Sequence, residues 1–195
     1  MLRSHELKAV ITIILSIALL SSCAFRIGRY NEHGHWVPKY IPLFKYKKFA
    51  DDTSVANLDT VNVYKLVKYE SFNENGENQI PVIRKGSNLA IYIKFFGSNR
   101  AMRVVIDRTN DSLNSASLNP TLSSNAPRYY YTNQGIVYIE GLHDANGSGE
   151  YFRDAYMISP NADTLVHEYN GLYLNRSTYV KVEIPKNWPT YKPYW

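Results

Sequence analysis

From residue 58 onward the chain is a succession of short runs rich in Val, Ile, Tyr and Phe, each ended by Asn, Gly, Ser or Pro, and no stretch keeps a helical period. Branched and aromatic side chains suit a half-buried pleated surface, and closely spaced turn signals pair each strand with its neighbour. The runs fall at residues 61–69, 80–83, 89–96, 102–106, 128–132, 135–142, 150–159, 164–169 and 179–184. Between them lie Asn75-Gly76, Gly97-Ser98-Asn99, Asn133-Gln134-Gly135 and Pro160-Asn161-Ala162-Asp163. The expected fold is all-β: an antiparallel meander, closed as a small barrel or folded as a sandwich. Tyrosine, at 17 residues, belongs to the same pattern. Its ring covers apolar surface while its hydroxyl keeps a polar tip, so it serves strands and also carbohydrate or protein interfaces.

Two segments carry specific expectations. The run Leu89-Ala90-Ile91-Tyr92-Ile93-Lys94-Phe95-Phe96 is the strongest strand signal. Period two places Leu89, Ile91, Ile93 and Phe95 on a buried face and Ala90, Tyr92, Lys94 and Phe96 on the other, where Lys94 is expected in solvent. Residues 107–127 are rich in Ser and Asn, with Pro120 and Pro127, and read as a long loop holding a helical turn. A loop of that length in a compact domain is usually functional or disordered.

The first residues differ in kind. Arg3 and Lys8, set against Glu6, precede an apolar run from Ala9 to Leu20 broken only by Thr12 and Ser16. This is the charged and apolar layout of an export signal, and its apolar part is short of the ~20 residues that span a bilayer. The run ends in Leu20-Ser21-Ser22-Cys23. That sequence resembles the lipobox of bacterial lipoproteins. The resemblance implies cleavage between Ser22 and Cys23, a diacylglyceryl group on the Cys23 thiol and acylation of the new amine. Two or three acyl chains, at ~0.8 kcal/mol per buried CH₂, make a lasting anchor. Ala24 follows where an Asp often retains such proteins at the inner membrane, so the outer membrane is the implied destination in a two-membrane envelope. Cys23 is the only cysteine, so lipidation accounts for a lone exported thiol and the mature chain has no disulfide.

The division that follows is a signal peptide at 1–22, a lipidated tether at 23–50, a β-domain at 51–185 and a C-terminal tail at 186–195. Removing the signal leaves 173 residues with 20 basic against 16 acidic side chains. That mild excess is scattered rather than clustered on one face, which argues against a nucleic-acid partner. The tether is expected to be irregular, because Pro38 and Pro42 interrupt pairing. Its Tyr40, Phe44, Tyr46 and Phe49, interleaved with Lys39, Lys45, Lys47 and Lys48, suit either a lipid headgroup region or docking on the domain.

The strand layout also resembles small lipoproteins with lipocalin-like β-domains. The residues carrying it are Lys94-Phe95-Phe96-Gly97-Ser98-Asn99-Arg100, then 130–140 from Tyr130 to Glu140, then Asp163-Thr164-Leu165. Gly34-His35-Trp36 matches the Gly-x-Trp that opens lipocalins, although Pro38 follows it.

No catalytic constellation is visible: there is no Gly-x-Ser-x-Gly elbow, no His-Glu-x-x-His, no P-loop and no dinucleotide fingerprint. His33 and His35 can face the same way on an extended chain and reach one metal ion, but nothing places a third ligand. Asp144, Asn146 and Ser148 with Gly149 match the front of a calcium loop, while Ala155 stands where its bidentate Glu belongs. A hairpin turn on Asn146-Gly147 explains those residues better. No metal or other cofactor is expected. The expected function is a non-catalytic binding or interaction module held at the envelope membrane by its N-terminal lipid. Its expected partner is an apolar ligand in a barrel mouth, or a glycan or envelope protein on Tyr-rich loops. The alternatives are an envelope or polysaccharide hydrolase and a structural subunit of an envelope assembly.

Overall fold

The computed structural model describes residues 28–30, 36–38, 58–73, 76–79, 88–109, 112–122, 128–143, 150–170, 174–193 and 195. Its strands are β1 (Gly28–Tyr30), β2 (Trp36–Pro38), β3 (Val63–Phe72), β4 (Asn78–Gln79), β5 (Leu89–Phe96), β6 (Arg100–Asp107), β7 (Arg128–Asn133), β8 (Ile136–His143), β9 (Glu150–Ile158), β10 (Thr164–Asn170) and β11 (Leu174–Val182). The remaining element among the described residues is a 3-10 turn at Ala116–Leu118. From β5 to β11 each strand pairs antiparallel with the next, β3 pairs with β5, and β11 returns to pair with β3. Eight strands therefore close into an up-and-down barrel of lipocalin-like layout, with β4 added at the end of β3. Of the two architectures left open by the sequence, the barrel is the one formed. Closure removes the unpaired edges that a sandwich of these strands would expose.

Closure needs one irregularity. Tyr179 lies opposite Leu66 and Thr178 opposite Lys68, so Val67 bulges out of β3 without a partner. The extra residue shifts the alternation and keeps both halves of β3 in register with β11. Tight turns gather at one end of the barrel, the base. Gln134 and Gly135 both take positive φ (49° and 76°), the primed-turn geometry that matches strand twist. Ser98 and Asn99 do the same at 61° and 56° between β5 and β6. At the opposite end, the mouth, lie the connections after β3, β6, β8 and β10, of which the first three are longer than any at the base. Among the described residues three seams are hydrogen-bonded only toward the base: β3–β5 from Val63 to Lys65, β6–β7 at Arg100 and Ala101, and β9–β10 from Ile158 to Tyr156.

Two apolar clusters result, one inside the barrel and one outside it. Inside, Tyr64, Phe95 and Tyr130 form a floor near the base, packed edge-to-face with centroids 5.7 and 5.0 Å apart. Leu58, Ala101, Val137, Ile139 and Leu165 complete it. The Tyr64 hydroxyl donates to the Ala162 carbonyl at 2.8 Å, and Tyr130 donates to Phe96 O at 2.9 Å, so the floor buries no unpaired hydroxyl of either. Outside, Leu113 and Leu118 from the long connection and Ile184, Trp188 and Tyr191 from the C-terminal segment pack over Tyr92, Phe96, Met102, Val104 and Ile106. β5 and β6 are thus covered on both faces, which is why β5 reads as a nearly unbroken apolar run.

Several expectations are corrected here. Ile91, Ile93 and Phe95 do share the interior face, with Ala90, Tyr92 and Phe96 on the other, but Leu89, expected to be buried with the first three, is 46% exposed at the end of β5. Lys94, however, is not in solvent; it is 7% exposed. Its ammonium donates to the carbonyls of Val61 at 2.6 Å, Thr60 at 2.8 Å and Asn62 at 3.2 Å, one acceptor for each proton. Burial holds its pKa down, to about 8, with Asp59 pulling the other way. The long connection does hold its expected helical turn, at Ala116–Leu118, and its described part packs as a strap with Leu118 and Pro120 buried. The last strand begins at Leu174 rather than at 179, because pairing to β10 and β3 on both sides holds the polar stretch Asn175-Arg176-Ser177 extended. The stretch from Gly28 to Pro38 was expected to be irregular, yet β1 and β2 pair through it. Pro38 is tolerated because it sits at a strand end, opposite Gly28.

Candidate ligand site inside the barrel

Immediately above the aromatic floor the interior turns polar. The register that puts Ile93 and Phe95 inside also puts Arg103 inside, opposite Ile93 on β6. Ala101 faces Arg128 across the β6–β7 seam, so β7 sends Arg128 inward one position above Tyr130. From β9 come Phe152, Asp154 and Tyr156, from β10 His167 and from β11 Tyr179. These strands are neighbours, so the groups converge.

The two arginines are unusual. The Nε atoms of Arg103 and Arg128 are sealed from solvent and have no hydrogen-bond partner among the described residues. Arg128, half-buried as a whole residue, lays its guanidinium over the Phe152 ring at 4.8 Å. Burial lowers its pKa to about 10, and the charge of Arg103 acts the same way, against the pull of Tyr156, Asp154 and Tyr179. It still carries its charge at neutral pH. Gly141 makes that stacking possible: a Cβ there would lie 2.8 and 2.9 Å from two Phe152 ring carbons and 3.1 Å from Arg128 Cγ.

The other polar groups are engaged elsewhere. Asp154 lies 3.6 Å from His167 Nε2. The His167 imidazole stacks on Tyr156 at 4.8 Å and 27°, and Tyr156 meets Tyr179 edge-on at 5.9 Å. Burial pushes the Tyr156 and Tyr179 hydroxyls upward, with Asp154 adding to the rise and both arginines opposing it. Both tyrosines therefore stay protonated at neutral pH and can donate.

A buried Nε–H without an acceptor gives up its hydrogen bond to water, which typically costs about 1–3 kcal/mol, more on a charged group. A buried polar group without a partner marks a place where a partner is missing. What fits is an oxyanion, because the planar guanidinium fork matches two acceptor oxygens.

Of the residues singled out from sequence, Leu20, Ser21, Ser22, Cys23, His33, His35, Asp144 and Asn146 all lie outside the described residues. Among the described residues no group of three or more His, Cys, Asp or Glu could hold a metal ion, and no helix is long and apolar enough to cross a membrane. The interior set was missed by motif reading, since it is no linear motif. Period two in Met102-Arg103-Val104-Val105-Ile106 marks Met102, Val104 and Ile106 as the apolar face, so only pairing in the barrel shows that the Arg103 face is interior. No family model, no curated protein and no solved structure matches the chain. The class defined by the fold and the site is an eight-stranded antiparallel barrel with a cationic interior.

Proposed function

We propose that the chain is an envelope lipoprotein, anchored by acyl chains on Cys23, whose barrel is a non-catalytic module that holds a ligand in its interior. The observation that carries the binding reading is the pair of buried, unpartnered arginine Nε atoms above the aromatic floor. Stability alone is a poor reason for two such groups, since apolar residues of similar volume serve a core better. Apolar residues at interior-facing positions near the mouth support an entry route: Leu89 and Val105 are 46% and 44% exposed. The anchor reading rests on the lipobox resemblance at Leu20-Ser21-Ser22-Cys23, and Ala24 favours the outer membrane where two membranes are present.

Mass spectrometry tests both parts. Membrane-extracted protein should begin at Cys23 with an acylated N-terminus, and a Cys23→Ser variant should leave the membrane; a mature chain starting elsewhere overturns the anchor. Organic extraction of the natively purified protein should release a small molecule in stoichiometric amount.

One observation favours a second reading. His167 lies beside Asp154, and its register partner on β11 is Ser177. These are the residue types of a hydrolytic triad on three consecutive strands. No hydrogen bond joins Ser177 to His167 among the described residues, and a triad requires that bond for its proton transfer. Labelling of Ser177 by an organophosphonate, abolished by His167→Ala, would move the function to hydrolysis.

A further inference from the structure

We infer that the ligand carries a carboxylate, that this carboxylate seats between Arg103 and Arg128, and that the apolar body of the molecule runs from there toward the mouth. The inference rests on the binding reading above and adds the chemistry of the ligand.

Charge selects the head. Arg103 and Arg128 bring two positive charges to the interior, and Asp154 brings one negative charge. Asp154 is placed against His167 and makes no described ion pair with either arginine. The balance left over matches a single negative charge. A carboxylate supplies it together with two coplanar oxygens, which the guanidinium fork binds in parallel. A phosphate monoester, near two negative charges at neutral pH, overbalances the pair. The protonated hydroxyls of Tyr156 and Tyr179 lie within electrostatic reach of both arginines and are available as further donors.

The walls select the body. The arginines sit directly above the closed floor of Tyr64, Phe95 and Tyr130, so a bound head lies deep and the rest of the molecule must point to the mouth. Along β5 and β6 that path passes Ile93, Ile91 and Val105. Across the barrel Phe152 faces it with a ring already held by Arg128. The path offers contact to a slender apolar group and few partners for a polar one on that side.

The test uses the full mature chain carrying Cys23→Ser, which removes the acyl chains as competing ligands and alters no described residue. The probes are octanoate, octanol, octylamine and octyl phosphate, followed by isothermal titration and by the shift in melting temperature. Octanoate should bind and raise the melting point, with octanol about tenfold weaker or worse, octyl phosphate weaker than octanoate, and octylamine silent. Arg128→Gln and Arg103→Gln should each weaken octanoate about tenfold while the unliganded melting temperature holds or rises, because each removes a buried Nε–H that has no acceptor. A structural role for the arginines would lower it instead. Arg128→Lys keeps the charge, loses the fork and should fall between Gln and wild type.

Equal binding of octanol and octanoate overturns the carboxylate assignment and leaves the binding module standing. Tighter binding of octyl phosphate overturns it in favour of a phosphate head. Failure of all four probes, with nothing released by extraction, overturns the binding reading itself.

Discussion

Gly141 is the position where a single methyl group probes the site most directly. It lies inside the barrel on β8, opposite Phe152 on β9 and Arg128 on β7. In Gly141→Ala the new Cβ falls 2.8 and 2.9 Å from two ring carbons of Phe152, against an ordinary carbon contact of about 3.5–4.0 Å. The ring must retreat by roughly 0.7 Å, yet the Arg128 guanidinium lies over it at 4.8 Å and Arg128 Cγ is itself 3.1 Å from the new atom. Overpacking of this kind typically costs about 1–3 kcal/mol. Replacing Gly by Ala within a strand returns about 0.5–1 kcal/mol of backbone entropy. The expected net loss is about 1.5 kcal/mol, which for a urea slope near 2 kcal/mol per molar moves the midpoint down by roughly 0.7 M. Circular dichroism during urea titration measures it. The control is Phe152→Leu, which removes the ring face. In that background Gly141→Ala should be neutral or stabilising, giving a coupling of at least about 1 kcal/mol. An equal cost of Gly141→Ala in both backgrounds would refute the argument that the absent side chain exists to admit the ring.

Ile93→Ala, at 3% exposure on the interior face, should cost about 2–5 kcal/mol in the same assay, and Lys94→Ala should also cost about 2 kcal/mol because it strands three carbonyls and empties a covered site; a neutral Lys94→Ala would return the ammonium to solvent. Trp188→Ala should lower stability by about 2 kcal/mol and raise dye binding to the uncovered outer face of β5 and β6; an unchanged melt would mean the C-terminal segment rests there without holding the barrel. Asp163 accepts from the Ser159, Thr164 and Asn161 side chains at the base turn, and those bonds, Ser159 first, hold its pKa below the ordinary 3.8. Its contribution is therefore present above pH 3.8 and is lost as pH falls through the depressed folded value. Asp163→Asn should flatten the acid limb of a melting-temperature profile between about pH 5 and 2, and an unchanged limb would assign acid loss to other carboxylates.

The all-β class, the antiparallel meander and most strand positions were legible in the chain because alternation and tight turns are local properties, while the expected run at 80–83 lies outside the described residues. Alternation, turn residues and β-branched content act within a few residues, and β5 runs over the very residues its pattern marks. The turn at Gln134-Gly135 was legible for the same reason, since a two-residue primed turn needs residues that tolerate positive φ. The start of β11 was not legible, because Asn175-Arg176-Ser177 is extended by two neighbouring strands rather than by its own propensity. The choice of barrel over sandwich depended on β11 meeting β3 more than a hundred positions away in sequence, with a bulge at Val67 to keep both halves in register. Lys94 shows the limit most plainly. Period two assigns its face correctly, but only the tertiary fold brings three carbonyls and an apolar strap over that face and turns an expected solvent position into a buried one. The same holds for the site. The sequence supplies two arginines, an aspartate, a histidine and two tyrosines scattered from 103 to 179. Barrel closure alone turns their side chains onto one interior, where loss of water makes each missing partner costly.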